Sequence, residues 1–206
     1  MKRNLKIFLL AVLAGICIGI GGTVYLSLDN KIVGSLMFAC GLYAICTQGL
    51  YLYTGKIGYL FDNDLSYVKV LLLTWFGNLF GTAIAAIIVL SSRIGLNINE
   101  VATKVCAAKL NDTFLSLLML GIMCGLLMYI AVDGYKKTTN PLILFIPVSV
   151  FILCGFEHCI ADMYYFWVAG LMNLTSLGKL LIITLGNSIG GVLIPVVQKM
   201  KENGDK

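Results

Sequence analysis

The chain has 206 residues, of which 59% are hydrophobic and only 12% are charged, and its net charge is +5. Soluble domains carry about 25% charged residues, so this composition indicates an integral membrane protein. The small basic excess lacks the runs of basic and aromatic residues typical of nucleic-acid binding, so we expect no nucleic-acid partner.

Six apolar segments are long enough to cross a lipid bilayer. They fall, within several residues, at 7–28, 32–61, 67–91, 113–133, 141–173 and 177–198. The first follows basic residues, as in a secretion signal, but its apolar run is longer than a signal requires, which favours a retained helix. The longest connection, 92–112, is mildly polar. We therefore expect one transmembrane channel domain over 1–206.

The distribution of basic residues indicates how these segments are oriented. With the N-terminus inside, ten of the 15 lysine and arginine residues would face the cytoplasm and five the outside. Cytoplasmic loops are the more basic ones in membrane proteins. We therefore expect a multi-pass protein of the cell membrane with both termini in the cytoplasm.

Short motifs repeat between the two halves of the chain. GICIG in the first segment matches GIMCG in the fourth, and FGNLFG in the third matches LGNSIG in the sixth. Each half, about 7–91 and 113–198, contains three segments. Because three is an odd number, equivalent segments of the two halves cross the membrane in opposite directions. The pattern predicts an inverted 3+3 repeat, and the GxxxG spacing in four segments predicts close helix packing.

The second and fifth segments are longer than one span and are interrupted by QGLYLYTGKIG and CGFEH. Transporters with inverted repeats place the substrate near the membrane midplane, between such broken helices. We expect the asparagines of the matched motifs, Asn78 and Asn187, to support the breaks in helices 2 and 5.

Three ionisable residues lie close together in the fifth apolar segment. They are Glu157, His158 (the only histidine) and Asp162. Ionisable residues inside a membrane are functional by default, and histidine exchanges protons near physiological pH. Glu157 is expected to satisfy freed backbone N–H groups at the break. Asp162 is expected either to pair with His158 or to cap the following half-helix.

Other polar residues allow two interpretations each. Lys109 is either a solvated loop residue or a positive charge that concentrates anions at an outer vestibule. Thr54 either caps a helix or offers its hydroxyl group where the second helix breaks. Taken alone, Phe38 and Phe151 are interpreted as core or lipid-facing residues.

Enzymatic functions find little support in the sequence. It contains no GxSxG, HExxH or glycine-rich phosphate loop. One histidine with scattered cysteines falls short of a metal site, so a membrane enzyme or metal protein is disfavoured and no cofactor is expected. Asn-Pro occurs once, at Asn140, and not as the paired boxes of an aquaporin.

GFEHCIADMYYF, LYTG and the two GN-x-x-G motifs resemble the formate/nitrite transporter family over nearly the whole chain. The resemblance implies an all-α membrane protein with six helices in an inverted repeat, helices 2 and 5 broken, and an aquaporin-like protomer. It also implies a homopentamer with one pore in each subunit.

The resemblance assigns roles to single residues. His158 corresponds to the central pore histidine, Thr54 to the threonine of the loop that breaks helix 2, and Lys109 to a vestibule lysine. The constrictions of the pore correspond to Phe38, Leu42, Leu52 and Phe151.

We therefore expect a passive channel for small monovalent anions of weak acids, with formate or nitrite favoured and a central histidine aiding proton-linked passage. A hydrosulfide channel of the same family is the alternative, ahead of an aquaporin-like channel for neutral solutes. Tyr51, Gly125 and Asp162 depart from the family pattern, which has an acidic residue and two asparagines there. These departures leave the choice of anion open.

Overall fold

The computed structural model describes the backbone of residues 2–204 and the side chains of residues 2–201, and this part of the chain is helical. The elements in chain order are α1 (Lys2–Ser27), α2 (Lys31–Thr47), α3 (Tyr53–Lys56), a 3₁₀ helix (Ile57–Asp62), α4 (Tyr67–Leu90), α5 (Gly95–Asn111), α6 (Phe114–Thr138), α7 (Leu142–Leu153), α8 (Cys159–Val168) and α9 (Leu174–Gly204).

Four of these helices, α1, α4, α6 and α9, are long and apolar enough to cross a membrane. Each buries less than half of its most apolar stretch inside the protein. The remainder exposes many large apolar side chains, such as Leu9, Phe80 and Ile87. Exposed apolar surface of this extent suits lipid rather than water, as expected for an integral membrane protein.

The second and fifth apolar segments are each divided by a turn. Helix α2 ends at Thr47 and the chain becomes helical again at Tyr53; α7 ends at Leu153 and α8 begins at Cys159. Both turns contain a glycine with positive φ, Gly49 at 64° and Gly155 at 70°. A left-handed residue at this position ends a helix, and glycine adopts it without steric cost.

The long helices pack in pairs through glycines, as the GxxxG motifs predict. Helix α1 lies against α4, and α6 lies against α9. A Cβ atom built on Gly81 would lie 2.0 Å from the carbonyl oxygen of Val12, and one on Gly190 would lie 1.9 Å from that of Ile122. Only glycine permits such a close approach of the backbones, and it occurs in both halves of the chain.

Helix α5 differs from the sequence expectation, which placed only a mildly polar connection at 92–112. It packs against α8 and buries Ile98, Ala102, Cys106 and Lys109. These positions are separated by three or four residues and therefore lie on one face of a helix. The helix is too polar to cross a membrane, and it carries Lys109 over the second broken helix.

Candidate functional site

Two cavities enter the protein from opposite sides. The N-side cavity, on the side where α1 begins, has a volume of about 170 Å³, and its lining includes Leu42, Cys46, Leu52, Lys56 and Lys136. The distal cavity, on the side where α1 ends, has a volume of about 310 Å³. Its lining includes Lys109, Phe151, Glu157, His158 and Asp162.

The side chains of Thr54 and His158 meet between the two broken helices. The Thr54 hydroxyl lies 2.9 Å from Nε2 of His158, and both residues are almost fully buried. Nδ1 of His158 accepts a hydrogen bond of 3.1 Å from the backbone N–H of Ala161 and so caps α8. A neutral imidazole has one donor and one acceptor, so its hydrogen lies on Nε2 and is donated to Thr54.

This geometry selects the neutral form of His158. A second proton would have to bind Nδ1, where it would point at the N–H group of Ala161 and abolish the cap. Because Thr54 accepts from His158, the hydroxyl hydrogen of Thr54 is free to be donated to another acceptor. The pair therefore presents a hydrogen-bond donor at the break of both helices.

Apolar side chains surround the buried polar pair and line the cavities. The rings of Phe38 and Phe151 meet edge to face with their centroids 6.1 Å apart. Phe151 also stacks on the imidazole of His158, with centroids 5.5 Å apart and an angle of 19° between the planes. Leu42 and Leu52, each at most 2% exposed, line the N-side cavity. The structure thus places Phe38 and Phe151 beside His158, and Leu42 and Leu52 on the wall of the N-side cavity.

The two asparagines of the repeated motifs hold the half-helices in equivalent ways. Asn78 accepts a hydrogen bond of 2.9 Å from the N–H of Tyr53 and donates to the carbonyl groups of Ala11 and Tyr51. Both N–H donors of its amide are therefore used. These three hydrogen bonds tie α4 to α1 and to both sides of the first break.

Asn187 makes the corresponding contacts in the second half of the chain. It accepts a hydrogen bond of 2.9 Å from the N–H of Cys159 and donates to the carbonyl groups of Gly121 and Glu157, each at 2.8 Å. Backbone groups freed by a helix break must find such partners in a membrane. The two amides therefore make the breaks possible.

Glu157 and Asp162 have different partners from those expected. The carboxylate of Glu157 forms an ion pair with Lys109 and does not bind backbone N–H groups. Asp162 neither pairs with His158 nor caps α8; its Oδ1 lies 2.9 Å from Nζ of Lys109. The expectation for both residues was wrong because α5, which delivers Lys109 to them, was not predicted from the sequence.

Lys109 is consequently not a free vestibule charge. Only 8% of its surface is exposed, and its ammonium group lies between the two carboxylates. Burial by itself lowers the pKa of Lys109, but Asp162 and Glu157 outweigh burial and raise this pKa above its ordinary value. The lysine therefore stays charged, and its charge is compensated within the protein.

Sequence analysis missed two lysines that line the N-side cavity. Lys56 lies with Nζ 4.2 Å from the ring centroid of Tyr51, and Lys136 lies 3.7 Å from that of Tyr59. A lysine inside an interrupted apolar segment is itself a functional signal, and this signal was present at Lys56. Lys136 lies more than 70 residues further along the chain, so only the fold places it beside Lys56.

Among the described side chains, residues 2–201, no group of three or more histidine, cysteine, aspartate and glutamate residues is arranged to hold a metal ion. Lys109, Glu157 and Asp162 are engaged with one another. The site consists of two cavities with mostly apolar linings and one buried polar pair, Thr54 and His158.

Several known proteins of similar sequence and structure are described as formate channels. "Formate channel FocA" of Escherichia coli is 28% identical over an alignment that includes 94% of this chain and 85% of FocA. "Formate channel FocB" of the same organism is 28% identical over 79% of this chain and 66% of FocB. A solved structure described as a pentameric formate channel with formate bound superposes with a TM-score of 0.84 at 26% identity, covering 98% of both chains.

The protein-family model described as "Formate/nitrite transporter" matches residues 1–200. The match includes both broken helices and both glycine-packed helix pairs. The chain therefore belongs to the formate/nitrite transporter family.

Proposed function

We propose that this protein is a passive channel for small monovalent anions of weak acids, with formate or nitrite as the favoured substrates. The observation that carries the proposal is the buried pair of Thr54 and His158, which lies with Phe38 and Phe151 between two cavities on opposite sides. The formate channels among the relatives support the choice of substrate class.

The mechanism follows from the dryness of the constriction. A bare anion that leaves water for an apolar passage loses several kcal/mol of hydration, whereas a neutral acid loses far less. We therefore propose that the anion takes up a proton at the water-filled cavity and that the neutral acid passes Phe38 and Phe151. Phe38 and Phe151 together exclude water, which keeps hydrated ions out.

His158 aids this proton-linked passage through Thr54. Its Nε2–H donates to the hydroxyl of Thr54, which in turn donates to an oxygen atom of the substrate. A donor whose oxygen already accepts a hydrogen bond is polarised and donates more strongly. The pair thus replaces one hydrogen bond that the substrate loses on leaving water, at the point where the pore is narrowest.

The proposal extends to assembly and orientation. The pentameric relative and the apolar outer surface support a homopentamer with one pore in each subunit, which light scattering should detect at five times 22.4 kDa of protein mass. Lys56, Lys136 and Lys199 lie on the side where α1 begins, and the excess of basic residues there supports a cytoplasmic location of both termini.

A flux panel in proteoliposomes tests the proposal. Formate, nitrite, hydrosulfide, acetate and lactate are compared at two pH values, with protein-free liposomes as the control for diffusion through lipid. We expect formate or nitrite to give the largest protein-dependent flux, which rises as the pH falls and carries protons with it. A larger hydrosulfide flux would favour the alternative substrate. Osmotic swelling with glycerol but no anion flux would refute an anion channel.

A further inference from the structure

Asp162 is a buried acidic residue with one carboxyl oxygen left without a partner. Its Oδ1 lies 2.9 Å from Nζ of Lys109, but its Oδ2 has no hydrogen-bond partner among the described residues. Asp162 is only 1% exposed, and it lines the distal cavity. A buried polar atom without a partner costs free energy, and the binding of a proton to the carboxyl group would remove its negative charge.

The acidic groups around Lys109 outnumber the basic ones. Glu157 and Asp162 both contact its ammonium group and therefore lie close to each other. If neither carboxyl group were protonated, two carboxylates and one ammonium group would leave one net negative charge in a buried place. Such a charge is costly inside a membrane protein, and two like charges at one site favour the binding of a proton by one of them. One proton shared by the pair makes the cluster neutral.

The surrounding ionisable groups do not supply this balance in the part of the chain that the structure describes. Those nearest to the cluster are Tyr25 of α1, Cys106 of α5, Cys124 of α6, and His158, Cys159 and Tyr165 at α8. Thiol and phenol groups are neutral at neutral pH, and the cap on α8 keeps His158 neutral. Helix α4 has its ionisable residues, Tyr67 and Lys69, at the opposite end, and Lys179 of α9 donates to the backbone carbonyl of Asp112.

The protonation state of this pair sets the charge that an anion meets in the distal cavity. Lys109, Glu157 and Asp162 are the charged or acidic residues in its lining, and the other lining side chains are mostly apolar. Without the proton the cluster is negative and repels an anion, and an apolar lining screens this repulsion poorly. With the proton the cluster is neutral, so the repulsion is absent.

We propose that the carboxyl groups of Glu157 and Asp162 form a proton-binding site, and that the bound proton makes the distal cavity receptive to the substrate anion. This proton stays on the pair, and the proton that the anion takes up comes from water in the cavity. Receptivity to the anion rests on the proposed function, whereas the proton-binding site does not. Asparagine, which the family pattern has in place of Asp162, cannot bind such a proton, so the site belongs to the departure seen in this chain.

Infrared difference spectroscopy of the purified, substrate-free protein tests the proton site. A protonated carboxyl group gives a carbonyl band that shifts in D₂O and that carboxylates lack. At neutral pH, where exposed carboxyl groups are ionised, we expect this band in the parent protein and its loss in Asp162→Asn. The variant keeps the shape of the side chain and an oxygen atom for Lys109.

Asp133→Asn is the matched control, because Asp133 has its own lysine partner, Lys137, at 2.7 Å. This variant should keep the band. A parent protein without the band, or a band that persists unchanged in Asp162→Asn, would overturn the proton site.

Formate uptake into proteoliposomes tests the consequence for the anion. The pH is the same on both sides of the membrane, so the orientation of the protein does not matter. The flux of Asp162→Asn is divided by that of the parent protein, which cancels the effect of pH on formate itself. At low pH the ratio should be near one. As the pair loses its proton at higher pH, the ratio should rise at least about tenfold, because only the protonated fraction of the parent protein is receptive.

The control Asp133→Asn should keep a ratio near one at each pH. A ratio for Asp162→Asn that does not change with pH, or a flux of this variant below that of the parent at every pH, would overturn the effect on anion entry. The infrared band in a parent protein without formate flux would support the proton site and refute the proposed transport.

Discussion

Replacing Thr54 by valine removes the hydroxyl group between the two broken helices while keeping the size and branching of the side chain. In the structure this hydroxyl lies 2.9 Å from Nε2 of His158, and Thr54 is only 1% exposed. The replacement leaves the N–H of His158 buried without a partner and removes the donor that we assign to the substrate. Loss of one partner of a buried hydrogen bond costs about 1–3 kcal/mol.

A loss of this size in the transition state for passage lowers the flux by about 5- to 150-fold. Formate flux is measured in proteoliposomes with equal amounts of reconstituted protein. Thr74→Val is the matched control, because Thr74 is equally buried but its hydroxyl bonds only to Val70 in its own helix. Thr54→Ser keeps the hydroxyl and should keep most of the flux. Equal fluxes for Thr54→Val and Thr74→Val would refute the assigned role.

Three further substitutions test the packing and the charges, each by unfolding in detergent. Gly190→Ala drives a methyl group into the backbone of α6 and should lower the free energy of unfolding by about 1–3 kcal/mol. Gly178→Ala in the same helix meets open space and should leave this free energy unchanged. Equal effects of the two substitutions would refute the close packing. Lys109→Met leaves two buried acidic side chains without their cation and should cost about 3–5 kcal/mol of stability, whereas Lys104→Met, at an exposed pair, should leave the stability nearly unchanged. An unchanged stability with a salt-dependent loss of flux would instead restore the vestibule role of Lys109. Asn187→Leu leaves one backbone N–H and two carbonyl groups without hydrogen-bond partners and should lower the free energy of unfolding by at least about 2 kcal/mol. A variant as stable as the parent would show that other groups hold the break.

The departure at Asp162 acquires a structural meaning from these contacts. Where the family pattern has a neutral asparagine, this chain places a second carboxylate against Lys109. Oδ2 of Asp162 has no hydrogen-bond partner among the described residues. Lys109 at the distal cavity is thus paired with acidic residues, whereas no ion pair is found for Lys56 or Lys136 at the N-side cavity among the described residues.

Hydropathy and glycine spacing predicted the membrane location, the apolar segments and the close helix pairs. The reason is that lipid imposes strong local rules: a span needs about 20 apolar residues, and two backbones approach closely only through small side chains. The positions of Gly49 and Gly155 also lie in the stretches that the sequence marked as interruptions. These features depend on residues near one another in the chain.

The partners of the polar residues depend on the tertiary structure instead. Thr54 and His158 are 104 positions apart, and Lys109 and Glu157 are 48 apart, so no local pattern encodes their contacts. The sequence by itself determined that ionisable groups lie inside the membrane protein and therefore need partners. Only the fold decided that α5 brings Lys109 to both carboxylates and that Lys56 and Lys136 have no carboxylate partner. The partner of a buried charge is whichever group the tertiary structure packs beside it.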